Sequence, residues 1–216
     1  MPAQLKLVKT LSHLREEQRH SDEIVIGSAG LTIARGAVTE IAGGASTGKT
    51  SLAMTLLAKL TQDGEICACV DSTGGFDPMT AHMAGVKLDN LLWIKCGSDI
   101  EKAFMSADYL VQAKGFGCVW LNLCGLSQDK LRMVPKTYWY RYRTRIKETP
   151  TVLLVTSTEA VTGSASHQSL VFSRENTTWS GSGRFKLLRE FHLSMQSKGF
   201  FTPAVRTRIK MDYRDV

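Results

Sequence analysis

"EIAGGASTGKTSL", residues 40–52, decides how the rest of the chain is read. Gly43, four residues, then Gly48, Lys49 and Thr50 satisfy the pattern GxxxxGK[ST], between an apolar run ending at Ala42 and a stretch with Leu52, Leu56, Leu57 and Leu60 on one helical side. Strand, glycine-rich turn, helix is the context in which this short pattern holds phosphate, because the backbone curls its N–H groups toward an anion and the helix N-terminus adds positive charge. Gly43, Gly44, Ala45, Ser46, Thr47, Gly48, Lys49 and Thr50 are therefore the candidate nucleotide site. Lys49 would reach the β and γ phosphates, and Thr50 would meet Mg²⁺ through the nucleotide, so ATP or ADP with Mg is the implied cofactor. The plainer alternative is a glycine-rich turn and nothing more.

The same alternation runs outward from the loop. Val38–Ala42, Glu65–Asp71, "NLLWIKC" (90–96), "GCVWLNLC" (117–124) and "TVLLVTS" (151–157) read as strands; Lys49–Leu60, "PMTAHMAG" (78–85), Ile100–Ala113 and a basic aromatic stretch near 136–147 read as helices. This spacing predicts an α/β fold with a mostly parallel central sheet flanked by helices. Shorter strands near Leu170–Phe172, Lys186–Met195 and Ala204–Met211 would extend it in antiparallel fashion, and "TGSASHQS" (162–169) and "ENTTWSGSGR" (175–184) read as mobile loops. Leu5, Val8, Leu11 and Leu14, at spacing three, predict a narrow-striped N-terminal helix. It divides the chain into an arm at 1–22 and a core at 23–216. The stripe packs on its own domain or docks on another protein, and both readings stand.

Binding a nucleotide is not hydrolysing it, since hydrolysis needs an oriented water and a carboxylate beside the metal. On "CVWLNLC" the polar residue is Asn122, a neutral amide. In "CVDSTGGFDP" (69–78) Asp71 is present, yet two residues later stands Thr73, which is no base at neutral pH. Asp77, directly before Pro78, fits the N-cap of a helix.

Residues 36–96, "GAVTEIAGGASTGKTSL…DNLLWIKC", resemble the ATPase core of RecA-type recombinases in order, spacing and local words such as "DP" and "GVKLDNLL". Together with "QAKGFGCVWLNLCGL" (112–126), "RMVPKTYWYRYRTRIKETPTVLLVTS" (132–157) and "RFKLLREFHL" (184–193), the whole chain looks like ImuA-type proteins, shortened RecA relatives linked to bacterial DNA-damage tolerance. The resemblance implies a RecA-like P-loop NTPase core. It also implies that Thr73 stands at the water-activating glutamate, Asn122 at the Walker B aspartate, Thr80 at the adenine-stacking tyrosine and Thr158 at the γ-phosphate-sensing glutamine. It implies a non-recombinase accessory protein of SOS-type DNA repair and translesion synthesis, with RecA and translesion polymerase components as partners and a homo-oligomer left open. The alternative is an active DNA-dependent ATPase or recombinase drawing its carboxylate from Glu40, Asp71 or Asp77. A small-molecule P-loop kinase is a remote third reading, with no arginine-rich lid to support it.

"KTYWYRYRTRIK", residues 136–147, interleaves Lys136, Arg141, Arg143, Arg145 and Lys147 with four aromatic rings, a mixture suited to single-stranded DNA. Trp139, Tyr142 and Ile146 also fall on one helical side and would equally well face a core. The intervals that hold DNA in recombinases must lie here within "GLSQDKLRMVP" (125–135) and "EAVTGSASHQS" (159–169), and the second carries no Lys or Arg. A late basic run places eight cations, Arg184 to Arg214, against Glu190, Asp212 and Asp215.

Composition agrees with such a protein. The 27 Lys and Arg against 20 Asp and Glu give a net charge of +7, which favours an anionic partner. The five cysteines lack metal-binding spacing and read as buried reduced thiols. No apolar run spans a membrane and the N-terminus lacks a secretory h-region, so a cytoplasmic protein without membrane contact is expected.

Overall fold

The structure, a computed structural model, describes residues 22–26, 31–147, 149–180, 187–199 and 205–212. The predicted N-terminal helix lies outside the described residues. The first elements are a hairpin of β1 (Glu23–Ile26) and β2 (Leu31–Ala34), followed by β3 (Ala37–Gly43), α1 (Lys49–Gln62), β4 (Cys67–Asp71), α2 (Pro78–Met83) and β5 (Leu91–Lys95). Then come α3 (Ile100–Ala113), β6 (Cys118–Asn122), α4 (Gln128–Arg132), α5 (Lys136–Ile146), β7 (Val152–Ser157), β8 (Gln168–Ser180), β9 (Leu187–Gly199) and β10 (Val205–Asp212). The main sheet has the order β10-β9-β8-β3-β7-β6-β4-β5. Its pairs from β8 to β5 are parallel, whereas β9 and β10 add antiparallel strands at one edge.

Both faces of the central strands are covered, and the two-residue period of a strand sorts their side chains. Ile41, Cys67, Cys69, Trp120 and Leu154 pack toward α1 and the β1–β2 hairpin. Val38, Ala68, Val70, Leu121 and Leu153 pack toward α3 and α5. This explains why these strands read as continuous apolar runs rather than as alternating ones. Four of the five thiols are buried and Cys124 is partly so; burial raises the Cys67 thiol to about 12. Among the described residues no helix is long and apolar enough to cross a membrane, and no cluster of metal-ligating side chains occurs.

Several boundaries depart from the sequence expectations. The β1–β2 hairpin was not anticipated, because strands of four residues carry too little pattern; Ile24, Ile26 and Ile33 nevertheless seal one edge of the α1-side core. Residues 175–180 are strand rather than loop, since β8 pairs with β9 through Ser180, past register shifts at Arg174/Asn176 and Thr178/Trp179. A polar strand interrupted by bulges loses the alternation by which strands are recognised. Residues 162–169 contain a short 3₁₀ turn, Gly163–Ala165, and lead directly into β8.

Candidate nucleotide site

The loop leaves β3 at Gly43, where a Cβ would stand 2.4 Å from the Phe172 carbonyl oxygen and 3.0 Å from Thr47 Oγ1. Glycine is therefore the residue that lets the chain pass β8 this closely. Beyond it Ser46 (φ 56°) and Gly48 (φ 85°) take left-handed conformations that curl the loop. Gly48 caps α1 without any side-chain acceptor, so the first-turn N–H groups are offered to whatever lies ahead of the helix. Lys49 is buried, its Nζ donating at 2.5 Å to the Gly43 and Gly44 carbonyls, while Thr47 Oγ1 donates to the Gly44 carbonyl at 3.0 Å. Among the described residues no carboxylate pairs with this ammonium. A buried cation held only by carbonyl oxygens, beside unclaimed helix donors, fits a polyphosphate. Thr50, exposed at the second position of α1, is placed to meet a metal carried by that phosphate.

The strand ends beside the loop form one row: Ile41 stands opposite Thr156, Thr156 opposite Asn122, and Asn122 opposite Asp71. A neutral relay crosses it. Trp120 Nε1 donates to Thr156 Oγ1 at 2.9 Å, and Thr156 Oγ1 donates to Asn122 Oδ1 at 3.0 Å. The Cys124 N–H adds a second bond to the same oxygen at 3.2 Å. Thr73 Oγ1 donates to the Cys124 carbonyl at 2.8 Å. Asn122 and Thr73 are thus neutral side chains fixed in local bonds.

The acids named as substitutes are engaged elsewhere. Asp71 is fully buried and accepts from the N–H groups of Gly74 and Gly75 at 3.0 Å each and of Phe76 at 2.9 Å, so it shapes the turn after β4. Glu40, 1% exposed, accepts from the Val161 and Thr162 N–H groups at 2.6 and 2.9 Å and from Ser169 Oγ at 3.0 Å. It ties the interval after β7 to β3. Asp77 is the N-cap of α2, as its place before Pro78 predicts. The Thr80 hydroxyl, helped by the backbone N–H groups of Thr80 and Met79, holds its carboxyl below the usual carboxylate range. Thr80 itself is exposed and spends its hydroxyl on Asp77. Thr158 follows Ser157, which stands opposite Ala42, and its buried Oγ1 has no hydrogen-bond partner.

Sequence reasoning names both Glu40 and Cys124 but misses what each does here. Glu40 carried a visible signal, a carboxylate inside an apolar strand, but its partners lie 121 to 129 residues away. Cys124 was taken for a core thiol and is only partly buried. Burial raises its pKa, opposed by a hydrogen bond with Thr156 and by the charge of Lys49.

The basic helix α5 divides by face. Trp139, Tyr142 and Ile146 are buried, with Phe104 5.0 Å from the Trp139 ring and its carbonyl accepting from Tyr142 Oη at 2.7 Å, so the core reading of these residues holds. Arg145 pairs with Asp108 of α3, and Arg141 approaches the same carboxylate at 3.5 Å while lying 4.4 Å over the Tyr138 ring. Arg143 and Lys147 line a cavity on the other flank; Lys136 begins the helix. The interval 125–135 contains α4, a five-residue helix, and buries Leu126 and Leu131. Side chains of the late basic run, Arg184 to Arg214, lie outside the described residues.

Residues 14–124 match the RecA N-terminal domain family. The chain is 41% identical over 106 residues to Protein RecA of Acidiphilium cryptum, covering 46% of this chain and 31% of that protein. To Protein RecA of Rhodospirillum rubrum it is 40% identical over 99 residues, covering 43% of this chain and 27% of that protein. The match thus spans under a third of these relatives' length. Among solved structures, the RadB recombinase superposes with a TM-score of 0.58 at 14% identity, over 81% of this chain and 86% of that one, a likeness of fold.

Proposed function

Since this chain belongs to the RecA family, its N-terminal domain matched over residues 14–124, we propose that it is an accessory protein of DNA repair and translesion synthesis, of the ImuA kind, which binds a nucleotide without efficient turnover. One observation supports the reading: a complete phosphate loop around Lys49 leaves β3 from a row of strand ends that carries neutral Asn122, with Thr73 bonded to Cys124, while Glu40, Asp71 and Asp77 are all engaged by backbone N–H groups. Mg-ATP supplies negative charge that completes the Lys49 cradle and makes nucleotide a structural or switching ligand. RecA itself and translesion polymerase components are the protein partners in this reading, and the basic balance of the chain suits single-stranded DNA as a further one. For an active DNA-dependent ATPase, the alternative reading, Glu40, Asp71 or Asp77 would have to leave the hydrogen bonds each makes here.

Nucleotide titration with and without Mg²⁺, run beside phosphate release with and without single-stranded DNA, tests it. Saturable binding that Lys49→Ala abolishes, with release at background, is the expected result. DNA-stimulated release lost in Lys49→Ala would overturn it. Co-elution with RecA or polymerase subunits tests the partners in turn.

A further inference from the structure

Trp120 Nε1 is a donor and nothing else, so the Thr156 oxygen that accepts from it donates its own O–H elsewhere, and Asn122 Oδ1 accepts it at 3.0 Å. The Cys124 N–H, also only a donor, reaches the same oxygen at 3.2 Å. Two donors therefore fix which end of the amide is which, and they leave Nδ2 on the side of the turn after β4, where a Cβ built on Gly75 would stand 3.8 Å from it. Asn122 is 3% exposed, and its Nδ2 donates to no acceptor among the described residues. The end of β6, in the row of strand ends from which the phosphate loop leaves, thus presents an N–H₂ group, which attracts an anion and repels a cation. We infer that the site takes its nucleotide as the metal-free polyphosphate at least as tightly as the Mg²⁺ complex, and that Asn122 sets this preference.

The donor set agrees. Mg²⁺ on a nucleotide is held by one or two protein carboxylates besides the phosphates. Thr50 offers one hydroxyl at the head of α1, and the described residues do not supply the rest. Asp71, Glu40 and Asp77 are engaged by backbone N–H groups. Glu159, just past the end of β7, accepts from Gln128 Nε2 and lines a cavity with Trp139, which packs on the face of the sheet opposite α1. The described partners of the buried Lys49 ammonium are neutral carbonyl oxygens. A metal would bring two more positive charges into such a site and share the phosphate charge with Lys49, whereas the free polyphosphate brings all of its charge to the ammonium and to the N–H groups of the helix N-terminus.

The inference rests on the nucleotide part of the proposed function, and the two can fail separately. Calorimetric titration of ATP into the full chain, once in excess MgCl₂ and once in EDTA at matched ionic strength, gives the ratio of the two dissociation constants. Wild type is expected to bind in EDTA as tightly as in Mg²⁺ or more tightly. Asn122→Asp, which keeps the side chain's shape and both accepted bonds, is expected to bind about tenfold more tightly in Mg²⁺ than in EDTA. A general loss of folding weakens both arms alike and leaves the ratio unmoved. Mg²⁺ that tightens wild-type binding would overturn the inference and leave the nucleotide reading standing. An Asn122→Asp variant as indifferent to Mg²⁺ as wild type would overturn the part given to Asn122. Wild-type protein that binds ATP in neither buffer would remove the nucleotide reading and the inference with it.

Discussion

Asn122 and Asp71 end neighbouring strands in register, and these two side chains of nearly the same shape serve opposite partners. The amide oxygen of Asn122 accepts hydrogen bonds from the Thr156 hydroxyl and the Cys124 N–H, whereas the Asp71 carboxylate accepts from the N–H groups of residues 74–76. Asn122→Asp keeps both accepted bonds and adds a charge in the row of strand ends from which the phosphate loop leaves. We expect the variant to fold as wild type and to bind Mg-nucleotide about tenfold more tightly, about 1.4 kcal/mol, a gain of the size of one charge-assisted contact. Phosphate release should stay at background because Thr73 still offers no base. Unchanged Mg-dependent affinity would show that charge at this position is not what limits the site.

Asp71 itself is predicted to matter for folding. Asp71→Ala strands three backbone N–H groups in the turn between β4 and α2 and should cost about 2 to 4 kcal/mol in urea unfolding. The neighbouring ring of Phe76, 5.2 Å from Trp93, would loosen with it. A variant of wild-type stability would contradict the structural role assigned here.

What could be foreseen and what could not divide along physical lines. The helix Ile100–Ala113 matches its sequence reading at both ends: Asp99 caps it, accepting from Lys102 N–H at 3.0 Å, and Lys114 ends it in a left-handed conformation. The strands around the phosphate loop were readable because burial on two faces makes apolar runs. The β1–β2 hairpin and the far half of β8 were not, since their pairing is set by distant strands and their residues carry little pattern of their own. At the site, the neutral identities of Thr73 and Asn122 were plain in the letters. That Glu40 is spent on Val161 and Thr162 follows from contacts across 121 and 122 residues, beyond the reach of any local rule.

Glu40 gives a prediction of its own. Glu40→Ala removes the acceptor of two N–H groups and one hydroxyl in the interval after β7 and should cost about 1 to 3 kcal/mol. Hydrogen exchange should rise first at Val161 and Thr162. Protection there equal to wild type would show the interval to be held by other means.

Cys124 offers a direct reporter of nucleotide. It is the one thiol of the five that is not fully buried, and the charge of Lys49 acts on it. A small alkylating reagent should modify Cys124 before Cys67, Cys69, Cys96 or Cys118, slowly at neutral pH because burial holds its thiol protonated. Adding Mg-ATP should slow it further, and Lys49→Ala should remove that protection. Labelling indifferent to nucleotide in the wild-type chain would separate Cys124 from the phosphate site.

Asp77 supplies the pH dependence. Its folded pKa lies below the ordinary carboxylate value, chiefly through the Thr80 hydroxyl. Its capping contribution to α2 is therefore complete above the unfolded value of about 3.9 and is lost as pH falls through the folded one. Amide protection at Met79 and Thr80, the two N–H groups that Asp77 accepts from at 3.2 and 3.1 Å, should persist through pH 5 and disappear on acidification below that window. Thr80→Val takes away the largest cause while sparing the backbone bonds, so the carboxyl resonance of Asp77 should titrate at a higher pH in the variant. A titration that stays where it was would show that the hydroxyl does not hold the charge.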